Sequence, residues 1–84
     1  PLTFNVFPNP NTGNFQLYLE NKALESISLE LFDVTGKITY SNNIEFQSGN
    51  TKLVSLNFSN LAKGVYYIRV SDDNNQYVRS IVIR

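Results

Sequence analysis

The last stretch of the chain reads GVYYIRV from Gly64 to Val70, SDDNNQ from Ser71 to Gln76, and YVRSIVIR from Tyr77 to Arg84. Apolar and polar residues alternate on both sides of a short polar run, the pattern of a β-hairpin with one face on a core. A four-residue loop from Asp73 to Gln76 places Asp72 opposite Tyr77, Val70 opposite Arg79, Ile68 opposite Ile81 and Tyr66 opposite Ile83. That register turns Tyr66, Ile68, Ile81 and Ile83 inward. The other face then carries Tyr67, Arg69, Ser71, Val78, Ser80, Val82 and Arg84. Two valines and a tyrosine among two arginines suit a docking surface better than plain solvent, unless a loop or the N-terminal strand covers them. The final residues of most domains fray unless tied down. Here an apolar strand with a basic last residue, Arg84, is itself the end, and a partner reading the chain from its C-terminus would bind there.

The rest of the chain repeats the alternating pattern. Phe4 and Val6 open a first strand that Pro8 and Pro10 stop, since proline cannot donate to a central ladder. Phe15, Leu17 and Leu19 alternate with Gln16, Tyr18 and Glu20; Ile27, Leu29 and Leu31 alternate with Ser28 and Glu30. A turn at Asp33-Val34-Thr35-Gly36-Lys37 follows, with Gly36 placed for a positive φ in a bulged hairpin. Ile38 and Tyr40 continue the next strand, and Ile44 and Phe46 follow an Asn42-Asn43 interruption. Ser48-Gly49-Asn50 turns the chain, and Val54, Leu56 and Phe58 supply another inward face. Ser59 to Lys63 forms a tight crossover, with Leu61 plugging the core and Gly64 ending the turn. No 3.6-residue pattern competes. About seven short strands spaced roughly 8 to 12 residues apart predict an all-β, immunoglobulin-like β-sandwich of antiparallel strands, although the cysteine pair and core tryptophan of antibody domains are missing.

Length and composition narrow the functional classes. A chain of 84 residues is one domain with a thin core and no deep cleft. Seven basic residues balance seven acidic ones, which argues against nucleic acid as a partner. The balance is uneven: residues 1 to 62 hold three lysines against five acidic residues, whereas Lys63, Arg69, Arg79 and Arg84 face only Asp72 and Asp73. No segment approaches the roughly 20 apolar residues of a membrane helix, and no signal-peptide pattern opens the chain. It begins Pro1-Leu2-Thr3 without an initiator methionine, so a fragment of a larger protein is expected.

The chain has no histidine and no cysteine. Serine triads, thiol nucleophiles, thiolate zinc sites and disulfides are therefore excluded, and no catalytic, metal or cofactor site is expected. Glycosidase chemistry needs two carboxyl groups roughly 5 to 10 Å apart across a cleft. Asp72 and Asp73 are neighbours in a strand end and point to opposite faces. The Asp72-Asp73-Asn74-Asn75 run lacks the spacing and terminal glutamate of a calcium loop and reads as a hairpin turn. Gly36-Lys37 lacks the upstream glycine of a phosphate-binding loop, and Ile38 stands where its hydroxyl residue belongs. Asn57-Phe58-Ser59 matches a glycosylation sequon, a pattern common by chance. Tyr18, Tyr40, Tyr67 and Tyr77 leave carbohydrate binding as an alternative, and an adhesion or spacer module as another.

Four segments carry a family resemblance: FPNPNTGNF (Phe7 to Phe15), LFDVTGK (Leu31 to Lys37), LAKGVYYIRV (Leu61 to Val70) and VRSIVIR (Val78 to Arg84). In this order they resemble the type A C-terminal sorting domain of the type IX secretion system of Bacteroidota, over essentially the whole chain. The resemblance implies a non-catalytic secretion signal at the end of a cargo protein, folding in the periplasm and directing export to the cell surface or medium. It implies as partners the N-terminal cargo domain, the outer-membrane shuttle and translocon proteins, and a sortase-like peptidase that removes the domain by cutting near or before Pro1. Pro8, Asn9, Pro10 and Gly13 match the family's N-terminal motif, with the role of a rigid turn that positions the first strand. Asp33, Gly36 and Lys37 match its central hairpin, and Gly64 and Tyr66 its glycine-x-tyrosine motif. The family commonly ends in lysine, three residues, lysine; here Arg84 fills the last position and Ser80 the first, with Arg79 one residue earlier. Tyr67, Arg69, Val78, Arg79, Val82 and Arg84 are the expected recognition residues.

Overall fold

The computed structural model describes residues 2–21, 26–46, 51–73 and 75–84. Seven strands run through them: β1 (Leu2–Phe7), β2 (Asn14–Asn21), β3 (Ile27–Asp33), β4 (Ile38–Ile44), β5 (Thr51–Asn57), β6 (Gly64–Ser71) and β7 (Gln76–Ile83). They form a three-stranded sheet, β1-β2-β5, and a four-stranded sheet, β4-β3-β6-β7, with every paired neighbour antiparallel. This is the all-β sandwich that the alternation predicts. In constant-type immunoglobulin domains the fourth strand joins the first sheet; here β4 stays on β3.

Strand alternation builds the core directly. Leu17, Leu19, Leu29, Leu31, Ile68, Val70 and Ile81 are all less than 2% exposed and sit at every second position of their strands. Side chains of both sheets join one cluster, in which each fully buried aliphatic residue contributes roughly 1.5–3 kcal/mol. Tyr66, at the start of β6, is buried, and its hydroxyl donates to the carbonyl of Ala62 at 2.6 Å. A tyrosine at this corner bonding back a few residues is a feature of immunoglobulin-like sandwiches. It explains the glycine-x-tyrosine motif as a folding requirement: Gly64 opens the strand and Tyr66 pins it to the preceding crossover. Leu61 is half-buried against the core, as expected of a plug.

The final hairpin departs from the expected register. The closing pair is Ser71 with Gln76, so Val70 faces Tyr77, Ile68 faces Arg79, Tyr66 faces Ile81 and Gly64 faces Ile83. The loop keeps four residues but begins one position earlier, because Asp72 serves the turn. Its N–H donates to the carbonyl of Asn75 at 3.0 Å, and its carboxylate accepts from the N–H of Asn75 at 2.7 Å. Each partner moves by two residues, an even number, so the faces survive. A second difference lies in β4, which runs unbroken through Asn42 and Asn43. Both are exposed on an edge strand, where polar side chains are tolerated. A bulge between Leu31 and Phe32 pairs Phe32 with Ile38, leaving Ile38 outward and 49% exposed. The expected turn at Ser48-Gly49-Asn50 lies outside the described residues.

Gly36 adopts φ +88° in the β3–β4 turn, as a bulged hairpin requires. Gly13 has φ +106° and a tighter constraint: a Cβ there would lie 2.8 Å from the carbonyl oxygen of Phe58. Its carbonyl accepts from the N–H of Phe58 at 2.7 Å, joining the β1–β2 connection to the crossover after β5. Replacing Gly13 with alanine is therefore expected to cost about 2–4 kcal/mol, the left-handed backbone and the clash acting together. Gly36→Ala meets nothing within 4 Å and should lose only about 1–2 kcal/mol. Urea unfolding of both variants checks this, and equal losses would refute the close-contact argument.

Candidate functional site

The outward face of the four-stranded sheet carries an apolar patch built by cross-strand pairing. Phe32 on β3 lies between Ile38 on β4 and Tyr67 on β6, and its ring stacks on Tyr67 with centroids 5.8 Å apart and planes at 28°. Val65 pairs with Val82, and Arg69 with Val78, extending the patch onto β7. Val65, Val78 and Val82 are 40%, 46% and 37% exposed. An apolar cluster spanning all four strands and open to solvent is uncommon on a small domain that binds nothing.

The six expected recognition residues do not all lie together. Tyr67, Arg69, Val78 and Val82 share this face, and Arg84 follows Val82 with the same strand parity. Arg79 has the opposite parity. It faces Ile68, and its guanidinium reaches across the sandwich edge to lie 4.7 Å from the ring centroid of Phe4, which also meets Tyr77 edge-on at 6.3 Å. Arg79 thus covers the open side of the core between β1 and β7. Arg69 is on the face but already engaged: Nη2 and Nε meet Oε1 of Glu30 at 2.5 and 2.8 Å, and the guanidinium lies 5.2 Å from the Phe32 ring centroid. An ion pair this open to solvent adds only about 0–1 kcal/mol. It does neutralise Arg69 and hold it beside the Phe32 ring.

The N-terminal motif lies against the opposite end of the chain. Pro8, Asn9 and Pro10 are exposed and both X-Pro bonds, Phe7-Pro8 and Asn9-Pro10, are cis. Asn9 Nδ2 donates to the carbonyl of Ser80 at 3.0 Å, and Asn9 Oδ1 accepts from the N–H of Val82 at 3.1 Å. Asn11, only 5% exposed, pairs its backbone with Val82 and Arg84. Its side chain holds its own loop, donating to the carbonyl of Pro8 at 3.0 Å and accepting from the N–H of Gly13 at 2.8 Å. The motif is more than a turn that places β1. Sequence reasoning had no role for Asn11, because asparagine among prolines reads as local turn chemistry.

The central hairpin is organised by one carboxylate. Asp33 Oδ1 accepts from the hydroxyl of Thr35 at 2.6 Å, the N–H of Thr35 at 2.9 Å and the N–H of Lys37 at 3.1 Å. The tyrosines considered for sugar binding are dispersed: Tyr67 stacks on Phe32, Tyr40 meets Phe58 at 5.1 Å, Tyr77 meets Phe4, and Tyr18 sits on the other sheet between Asn5 and Leu53. Among the described residues, no group of three or more acidic residues is placed to hold a metal ion.

A family model described as the secretion system C-terminal sorting domain matches residues 5–84. The chain belongs to this family. No curated protein matches it. The sorting domain is a type IX secretion signal: it acts with the machinery of that system, and the cargo it marks is secreted or displayed on the cell surface.

The Asp33 turn has a defined pH signature. The hydrogen bond from the Thr35 side chain, joined by the N–H groups of Lys37 and Thr35 and the charge of Lys37, holds the Asp33 carboxyl below the usual carboxylate value. A depressed folded-state pKa stabilises the domain above the unfolded value of about 4 and is lost as pH falls through the folded value. Urea midpoints measured from pH 7 to pH 2 should therefore fall on the acid side, and Asp33→Asn should flatten that fall. An unchanged acid limb in the variant would refute the assignment.

Proposed function

We propose that the outward face of the four-stranded sheet is the surface that the type IX machinery docks on. The exposed apolar row of Ile38, Phe32 and Tyr67, continued by Val65, Val82 and Val78, is the observation that carries this reading. Such a cluster supplies affinity by leaving water, and cations at its rim supply orientation. Among the described arginines, Arg84 is the one left to act as a rim cation on this face, because Arg69 is neutralised by Glu30 and Arg79 lies over Phe4. Strand addition to β7 over its last residues is disfavoured, since Asn9 and Asn11 already occupy that edge.

In this reading the domain passes through the periplasm, an outer-membrane shuttle protein collects it by this face, and the translocon exports the cargo. A sortase-like peptidase then removes the domain by cutting upstream of the Pro8-Asn9-Pro10 segment. Residues 1 to 84 act as one unit, substrate rather than enzyme, behind an N-terminal cargo domain.

The test is a reporter carrying a signal peptide in front of residues 1 to 84, expressed in a type IX-competent cell. Val78→Asp and Val82→Asp each place a charge on the outer face without entering the core. Each is expected to reduce export about tenfold or more while leaving the thermal midpoint within a few degrees. Arg84→Glu should weaken export in the same direction. Normal export of all three variants would refute docking on this face.

A further inference from the structure

We propose that Asn9 and Asn11 are positioning residues for the export signal, holding Val82 and Arg84 where the machinery reads them; the proposal rests on the docking face described above. β7 is the outer strand of its sheet, so one row of its N–H and C=O groups points away from β6. Over residues 80 to 84 that row is occupied. The side-chain amide of Asn9 imitates a peptide unit, donating to Ser80 O at 3.0 Å and accepting from Val82 N–H at 3.1 Å. The backbone of Asn11 continues the series, donating to Val82 O at 2.9 Å and accepting from Arg84 N–H at 2.8 Å. Asn11 makes a parallel bridge to Ile83, so this short segment serves as an extra strand of the sheet.

The consequence is greatest at Arg84. The β6–β7 ladder ends at the Gly64–Ile83 pair, so Arg84 lies beyond the last rung, and its N–H is held by Asn11. A strand end without such a partner frays, and ordering a frayed arginine on binding subtracts from affinity. Asn9 contributes through an exposed side chain and Asn11 through a buried one that shapes its own loop. Substitution at Asn9 therefore separates positioning from folding. Asn9→Ala removes both side-chain bonds to β7 and leaves the core untouched. Asn9→Asp keeps the acceptor for Val82 N–H and loses the donor to Ser80 O.

The experiment combines amide hydrogen exchange on the 84-residue domain with export of the reporter fusion. Asn9→Ala should keep a cooperative melt, lose protection at the Val82 amide about tenfold, and export several-fold less cargo. Asn9→Asp should recover part of both the protection and the export, and Thr12→Ala, an exposed change in the same loop, should alter neither. Full protection at Val82 in Asn9→Ala would overturn the proposal, as would lost protection with undiminished export. If Asn9→Ala does not fold, the same two readouts on Asn9→Leu, which keeps the side-chain volume and loses both bonds to β7, decide in the same way. The docking face is judged separately by Val78→Asp, Val82→Asp and Arg84→Glu, of which Val78 is bonded to neither asparagine. Normal export of all three with impaired export of Asn9→Ala would refute the face and leave only an anchoring of the β7 edge needed for export; impaired export of the three with normal export of Asn9→Ala would refute positioning alone.

Discussion

An edge strand leaves half of its backbone polar groups without partners, and in this domain the edge in question belongs to β7. The solution is intramolecular: Asn9 and Asn11, on the connection between the first two strands, satisfy the carbonyls and N–H groups of Ser80, Val82 and Arg84. That contact also fixes the neighbouring structure. Asn11 can sit buried, 5% exposed, because both its amide nitrogen and its amide oxygen have partners, Pro8 and Gly13. Gly13 in turn must be glycine because the crossover at Phe58 and Ser59 packs directly against it. The Pro8-Asn9-Pro10 segment and the last residues of β7 are therefore two sides of one contact.

The four-stranded sheet has two apolar faces, one buried and one open to solvent. Its inner face, with Leu29, Leu31, Ile68, Val70, Ile81 and Ile83, is buried in the core. Its outer face keeps Ile38, Val65, Val78 and Val82 in solvent around the Phe32–Tyr67 stack. Leaving apolar groups in water adds nothing to the stability of the isolated domain, so folding alone gives no reason for this face. The arginines divide labour in the same way. Arg69 is tied to Glu30, Arg79 covers Phe4 at the sandwich edge, and Arg84 is held beside the patch by its backbone. The basic excess after residue 62 is thus a set of distinct local roles and not a uniform positive surface.

Strand identity was legible in the sequence because alternation has period two and each strand buries one face. Leu17 and Leu19, Leu29 and Leu31, and Ile68 and Val70 needed only their spacing to be assigned inward. Register was less legible. Asp72 resembles a strand residue by position, yet its carboxylate and N–H close the turn with Asn75, and every partner on β7 shifts by two. Parity survived that shift, so the composition of the outer face was read correctly while its rows were not. The face of Ile38 was not legible at all: a bulge beside Phe32 turns it outward although Tyr40, two residues on, pairs with inward Leu31, and bulges leave little trace in a hydrophobic pattern.

Sequence alone determined the class of this protein. Its alternating strands implied a sandwich, its lack of histidine and cysteine removed most catalytic chemistry, and four ordered motifs pointed to the sorting-domain family to which it belongs. Tertiary structure decided what the ends of the chain do. The bonds from Asn9 to Ser80 and Val82 span 71 and 73 residues, a separation at which no local periodicity or turn rule carries information. Only the folding of β1 and β7 onto the same side of the sandwich brings these groups together, and with that contact the last strand becomes an anchored edge.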